Sequence, residues 1–172
     1  MGKDYPLVIL SSARKNSDTK KVVDAVFENT AHDTLDLLDY KISHFNYAKK
    51  YPADDKFISA IEKIIAYKVL IFATPIYWYS MSGLMKVFFD RLTDVVSVRK
   101  ELGRNFKGKH TFLISSGSNE KLPTGFEVPF RSSSEYLNMQ YNTYFYHSVE
   151  KDFAKIRMKS KYFIEKIKKA SV

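Results

Sequence analysis

Leu7-Val8-Ile9-Leu10 runs straight into Ser11-Ser12-Ala13-Arg14-Lys15-Asn16-Ser17-Asp18-Thr19, and Val22, Val23, Val26 and Phe27 follow directly at helical spacing. The apolar run reads as a buried strand, the polar stretch as a loop and the periodic segment as a helix. The first turn of a helix carries backbone N–H groups without intrahelical acceptors and the positive end of the peptide dipole. Hydroxyls and a guanidinium beside that terminus complete an anion site, so the loop reads as a phosphate cradle.

Working outward, the same alternation repeats. Thr34-Leu35-Asp36-Leu37-Leu38 reads as a second strand, and residues 39–53 are polar, aromatic and irregular. A helix is expected over residues 55–67, with Phe57, Ile58, Ile61, Ile64 and Ile65 at the helical period and Asp54 or Asp55 as its cap. Val69-Leu70-Ile71-Phe72-Ala73 is an unbroken apolar run of the kind buried on both faces of a parallel sheet, and Thr74-Pro75 is expected to stop it. Ser82 to Leu92 reads as helix, residues 97–107 as a charged exposed stretch, and Thr111 to Ile114 as a strand. A helix follows from about residue 125 to 137, which Pro129 would end or kink if it fell in the interior. Gln140 to Tyr146 alternates as an edge strand, and Val149 to Lys169 forms the last helix.

Strand and helix thus alternate five times, which defines an α/β fold with a parallel sheet and helices on both faces. Right-handed crossovers restrict the topology of such a three-layer sandwich. For five strands the expected order is the flavodoxin-like 2-1-3-4-5, whose ligand lies beyond the carboxyl ends of strands 1 and 3. Those ends carry Ser11–Thr19 and Thr74–Ser82.

The 172 residues suit a single domain. No apolar stretch approaches the roughly 20 residues that span a bilayer, and the first six residues lead into a run too short for a signal peptide, so a cytoplasmic address is expected. Cysteine is absent, which excludes disulfides, thiolate catalysis and Cys-ligated metal centres and leaves redox chemistry to a bound cofactor. The four histidines, His32, His44, His110 and His147, lack metal-ligand spacing and read as surface or turn residues. No metal site is expected.

The formal charge is +9, and much of the excess sits in the last helix, at Lys151, Lys155, Arg157, Lys159, Lys161, Lys166, Lys168 and Lys169. Such a patch suits nucleic acid or another anionic surface. The charges also surround an apolar stripe of Phe153, Ile156, Tyr162, Phe163 and Ile167, as on a solvated helix face, which is the preferred reading.

Three loops then converge on the switch point. The first lacks both Gly-x-Gly-x-x-Gly and a Gly-Lys-Ser/Thr ending, and offers Ser12, Arg14, Asn16, Ser17, Asp18 and Thr19 instead. That set suits one terminal phosphate monoester, although one of Ser17, Asp18 and Thr19 would serve as an N-cap in any case. In the second, Pro75-Ile76-Tyr77-Trp78-Tyr79-Ser80 places three adjacent aromatics at the mouth of the sheet, more than alternation can bury, and so reads as a wall for a flat heterocycle. The third is Ser115-Ser116-Gly117-Ser118, where the glycine permits close approach and the serines address a ring edge.

Ser11–Thr19 resembles the Gly-Ser-x-Arg-x-x-(Ser/Gly)-x-Thr phosphate loop of the NADPH-dependent FMN reductase family, with Ser11 in place of the usual glycine. Thr74-Pro75-Ile76-Tyr77 through Ser82-Gly83 to Lys86, Phe88, Asp90 and Arg91 resembles that family's second motif. The resemblance implies noncovalent FMN, with Ser12, Arg14, Ser17 and Thr19 near its phosphate. It also implies Pro75, Ile76, Tyr77 and Trp78 along the isoalloxazine, Ser115 to Ser118 at its far edge, and NADPH or NADH as reductant. A small-molecule electron acceptor would complete the reaction. It further implies a homodimer or homotetramer, for which Met81, Met85, Phe88 and Phe89 are interface candidates. No catalytic acid or base is required, because the flavin carries the hydride chemistry. The rival readings are a flavodoxin-type electron carrier, disfavoured by the positive charge, and a basic module that binds nucleic acid or an anionic partner.

Overall fold

The computed structural model describes residues 3–171. β1 (Leu7–Leu10), α1 (Asp18–Val26), β2 (Asp33–Asp36), α2 (Phe57–Ile64), β3 (Val69–Tyr77), β4 (Ser80–Met81) and α3 (Gly83–Ser97) make up the first half. They are followed by α4 (Lys100–Gly103), β5 (His110–Gly117), α5 (Val128–Tyr136), β6 (Gln140–Ser148), α6 (Ile156–Lys159) and α7 (Lys161–Ser171). The sheet order is β2-β1-β3-β5-β6, every pair on this path being parallel. The five-strand expectation is corrected by a sixth: the two-residue β4 pairs antiparallel with the end of β3. Without β4, the order is the 2-1-3-4-5 read from the sequence.

Alternation along the central strands explains the two cores. Leu7 and Ile9 of β1, Leu70 and Phe72 of β3 and Leu113 of β5 point to the side covered by α2, α3 and α5. Val8, Leu10, Val69, Ile71, Ala73, Phe112 and Ile114 point to the side of α1 and α7. Both faces are apolar, so these strands are unbroken hydrophobic runs.

Several boundaries differ from expectation for identifiable reasons. β3 continues through Thr74-Pro75 to Tyr77. The Ser11 N–H donates to the Ala73 carbonyl, so the Pro75 nitrogen, two residues on, faces the same side, where β1 has already ended and no N–H is needed. Pro129 falls in the first turn of α5, where its missing donor costs nothing. Within the stretch expected to be exposed, Leu102 and Phe106 are buried, because α4 and the turn after it fold back on the core. The last helix is interrupted near Ser160, and its buried positions are Ile156, Ser160, Phe163 and Ile167. Tyr162 lies one residue out of that phase and is exposed.

Arg91, 1% exposed, closes the irregular segment onto α3. It pairs with Asp55 at 2.9 Å and Asp94 at 2.7 Å, donates to the Ser43 carbonyl at 2.9 Å, and stacks 3.4 Å from the centre of the Tyr51 ring. Asp55, expected as a cap, does accept from the Phe57 N–H, but its chief partner is this guanidinium.

Candidate functional site

At the carboxyl end of the sheet, a cavity of about 450 Å³ is lined by Ser12, Ala13, Arg14, Ser17, Asp18, Thr19, Pro75, Ile76, Tyr77, Ser116, Gly117, Ser118 and Val149. Ligand pockets commonly span about 300–1,000 Å³, so one small cofactor fits. All three predicted loops meet here.

Ser17 caps α1, its side-chain oxygen accepting from the Lys20 N–H. A hydroxyl that accepts keeps its own proton, so Ser17 remains a donor toward the cavity. Among the described residues, no protein group accepts from the backbone N–H of Ser12, Ala13, Arg14, Asp18 or Thr19. Thr19 Oγ1 and Ser116 Oγ are 2.8 Å apart, and their two protons cannot both be used in that contact, which leaves one free. Arg14 is exposed and reaches only Asp18, at 3.6 Å. The Lys21 ammonium, hydrogen-bonded to Asp18 at 2.9 Å, holds that carboxyl below the usual carboxylate range, so it is ionised at neutral pH.

Ser11 stands where the resembling loop has glycine, yet it is not in the left-handed region. Its hydroxyl lies 2.6 Å from that of Ser82, the N-cap of α3, and Thr74 Oγ1 donates to the same Ser82 oxygen at 3.2 Å. This buried hydroxyl chain fixes the start of the first loop to α3. On the opposite wall Gly117 is closely packed: a Cβ there would meet Ile76 Cβ at 3.2 Å, a tight contact that Ile76 would have to relieve by a few tenths of an ångström. Ile76 and Gly117 pack side by side at the ends of β3 and β5 and line the cavity next to Tyr77.

Five candidates lie outside the lining. Asn16 is exposed on the loop, and Ser80 is exposed in β4. Trp78 and Tyr79 form the tip of the β3–β4 hairpin at φ 48° and 63°, with Tyr77 paired to Ser80. Two positive-φ residues between paired positions mark a type I′ turn, which Asn-Gly normally occupies. Trp78 is consequently 94% exposed beside the cavity. Ser115 alternates with Ser116, so its side chain faces the α3 side; it is fully buried, and its hydroxyl has no partner among the described residues.

Ala13 and Val149 line the cavity without having been anticipated. Val149 follows β6 and is held by donating its N–H to the Gly117 carbonyl at 2.9 Å. Its place after a strand's carboxyl end was the available signal. His147, expected at the surface, is buried against the Phe153 ring beneath this turn, and burial lowers its pKa. The interface candidates Met81, Met85 and Phe88 are likewise buried in the core, with Phe89 packed against it. No group of three or more metal-ligating side chains occurs among the described residues.

An order 2-1-3-4-5 with a phosphate-type loop after β1 and an aromatic loop after β3 defines a flavodoxin-like nucleotide-binding fold. The family model of the NADPH-dependent FMN reductases matches residues 7–142. The chain belongs to this family, which is one of FMN-binding reductases. It is 30% identical over 97 residues to Bacillus subtilis YwqN, whose name describes an NAD(P)H-dependent FMN-containing oxidoreductase. That match spans 54% of this chain and 54% of YwqN, about half of each. Among solved structures, the Trp repressor binding protein of Bacillus subtilis superimposes with a TM-score of 0.69 at 20% identity, over 88% of this chain and 95% of that one. FerB, a flavoenzyme NAD(P)H:(acceptor) oxidoreductase of Paracoccus denitrificans, gives 0.69 at 13% identity over 97% of each chain. The general stress protein 14 of Treponema denticola, solved with FMN, gives 0.64 at 18% identity over 96% of this chain and 99% of that one. At these identities the structures speak for the fold.

Proposed function

We propose that the protein is an FMN-dependent NAD(P)H oxidoreductase that passes electrons to a quinone, flavin, azo or nitro acceptor by a ping-pong mechanism. The observation that carries this reading is one cavity with two chemically distinct ends. One end gathers the α1 N-terminus with the hydroxyls of Ser12, Ser17 and Thr19 and the Arg14 guanidinium; the other is lined by Pro75, Ile76, Tyr77 and Gly117. The first end has the donors a phosphate monoester needs, and the second offers apolar and aromatic surface to a planar ring, so the residues fit FMN.

Bound FMN supplies the hydride chemistry, accepting from a nicotinamide and returning electrons to an acceptor. The chain's own residues bind and orient. The free N–H groups of the first loop and α1 would hold the phosphate, and the Ser11–Ser82 and Thr19–Ser116 contacts fix both ends of the segment that carries them. Pro75, Ile76 and Tyr77 would lie along the ring, Trp78 and Tyr79 would extend that surface beyond the rim, and Ser116 to Ser118 would meet the far edge. No helix among the described residues is long and apolar enough to cross a membrane. A cytoplasmic location and a dimer or tetramer complete the proposal, the latter tested by light scattering of the purified protein.

The test is the absorption spectrum of the purified or FMN-reconstituted protein, with bands expected at about 370 and 450 nm. Stopped-flow mixing with NADH and NADPH should then bleach the longer-wavelength band. A holoprotein that neither nicotinamide reduces would instead be an electron carrier.

A further inference from the structure

Residues 151–172 hold eight lysines and arginines against Asp152 and Glu165, so they account for +6 of the chain's +9. The flavin site uses none of them. The hydrogen bonds Ser160 N–H to Ile156 and Ile164 N–H to Ser160 keep the helical phase across the break between α6 and α7, so the two present one continuous face. Ile156, Phe163 and Ile167 turn inward onto the sheet. At 3.6 residues per turn, the opposite side carries Met158 and Tyr162, one turn apart and 65% and 62% exposed, with the exposed Glu165 and Lys169 beside them. Lys155, Lys159 and Lys166 flank this pair on one side, and Arg157, Lys161 and Lys168 on the other. Arg157 is 3.6 Å from Glu28 of α1; the five flanking lysines have no carboxylate within 4.0 Å among the described residues. Glu165 is the one carboxylate in α6 and α7.

We propose that this outward face binds the surface of an anionic phospholipid bilayer, with Met158 and Tyr162 dipping into the headgroup boundary between two rows of cations. The pattern favours lipid over nucleic acid. A phosphate backbone gains nothing from a methionine at the centre of its footprint, and the guanidinium forks suited to phosphate and guanine are nearly absent, with one arginine among eight cations. Lysines flanking apolar side chains on a surface helix are the arrangement in which stems lie along acyl chains while the ammonium groups stay at the phosphates. The face runs back from the end of β6 along the α1 side of the sheet, so the cavity beyond the strands' carboxyl ends stays open. The inference does not depend on what that cavity binds.

The test is sedimentation of the purified protein with vesicles of phosphatidylcholine alone or containing about one third phosphatidylglycerol. Binding is expected only to the anionic vesicles, and it should weaken as salt rises to about 0.5 M. Lys155→Gln with Lys159→Gln and Lys166→Gln should lower the partition coefficient about a hundredfold, at about fivefold per lysine. Met158→Ser with Tyr162→Ser leaves the charge unchanged and should lower it about tenfold. These positions are exposed, so an unaltered circular dichroism spectrum and melting temperature will show intact folding. Failure to bind anionic vesicles overturns the proposal. So does vesicle binding that ignores the Met158 and Tyr162 changes while duplex DNA competes for the same face.

Discussion

Thr19 and Ser116 stand 97 residues apart in the chain, and their hydroxyl oxygens are 2.8 Å apart across the floor of the cavity. The contact couples the first turn of α1 to the end of β5, so the phosphate-side donors and the ring-side wall move as one body. Thr19→Val keeps the shape but leaves the buried Ser116 hydroxyl without its partner. Stability should fall by about 1–3 kcal/mol in urea unfolding, and FMN affinity should fall with it. Unchanged values in both would show that the two walls are not coupled through this pair.

Arg14 supplies the cavity's free guanidinium, held only loosely by Asp18. Arg14→Ala should weaken FMN binding by roughly 1.5–3 kcal/mol, the scale of a charge-assisted contact, with little change in melting temperature. Asp18→Asn is expected to act in the opposite direction, tightening FMN severalfold at low salt by removing a like charge from the phosphate end. Fluorescence quenching of free FMN during titration measures both.

Gly117→Ala places a methyl 3.2 Å from Ile76 Cβ, inside ordinary contact distance. Ile76 or β5 has to give by a few tenths of an ångström, at about 1–3 kcal/mol. Flavin affinity should drop more than that of a phosphate-only competitor such as inorganic phosphate, because the added methyl disturbs the wall at Ile76 and leaves the cradle untouched.

His147 lies buried beneath the turn that carries Val149, and burial depresses its pKa, with the Lys159 and Lys151 charges acting in the same direction. A histidine whose folded pKa is lowered contributes stability that is present above its unfolded value of about 6.5 and is lost as pH falls through the folded value. Thermal melts from pH 7 to 5 should show that decline, and His147→Gln should flatten it. An identical decline in the variant would assign the effect to other groups.

Arg91 is the one buried guanidinium among the described residues, and it neutralises Asp55 and Asp94 together. Arg91→Leu leaves two carboxylates in the interior and should cost about 3–5 kcal/mol. The loss should be read by urea unfolding, with proteolysis appearing first within residues 40–56, which the ion pair holds to α3.

Much of the fold was legible because its signals are local. The runs at 7–10 and 69–73 are apolar on both faces, which only a covered parallel sheet explains, and the polar loops after them mark the switch point. What escaped depended on neighbours. Pro75 continues β3 only because β1 ends first, a fact of register that composition does not carry. Leu102 and Phe106 are core residues inside a charged segment, because the chain folds back onto α3. Tyr162 was placed on the buried stripe although Ser160 holds the inward position in its turn. In the site, the donors around α1 were readable as a cluster, whereas Ser115 and Ser116 were separable only by the pleat. Trp78 and Tyr79 were recognised as more aromatics than the core could take, and the hairpin that turns them outward followed from their pairing rather than from propensity.

The central claim is most directly tested by anaerobic titration of the FMN-reconstituted protein with NADH and NADPH, followed at about 450 nm. Stoichiometric FMN uptake, bleaching by at least one nicotinamide, and recovery of the band on adding a quinone are the predicted result. A protein that stays colourless in excess FMN, or a flavin complex inert to both nicotinamides, would contradict it.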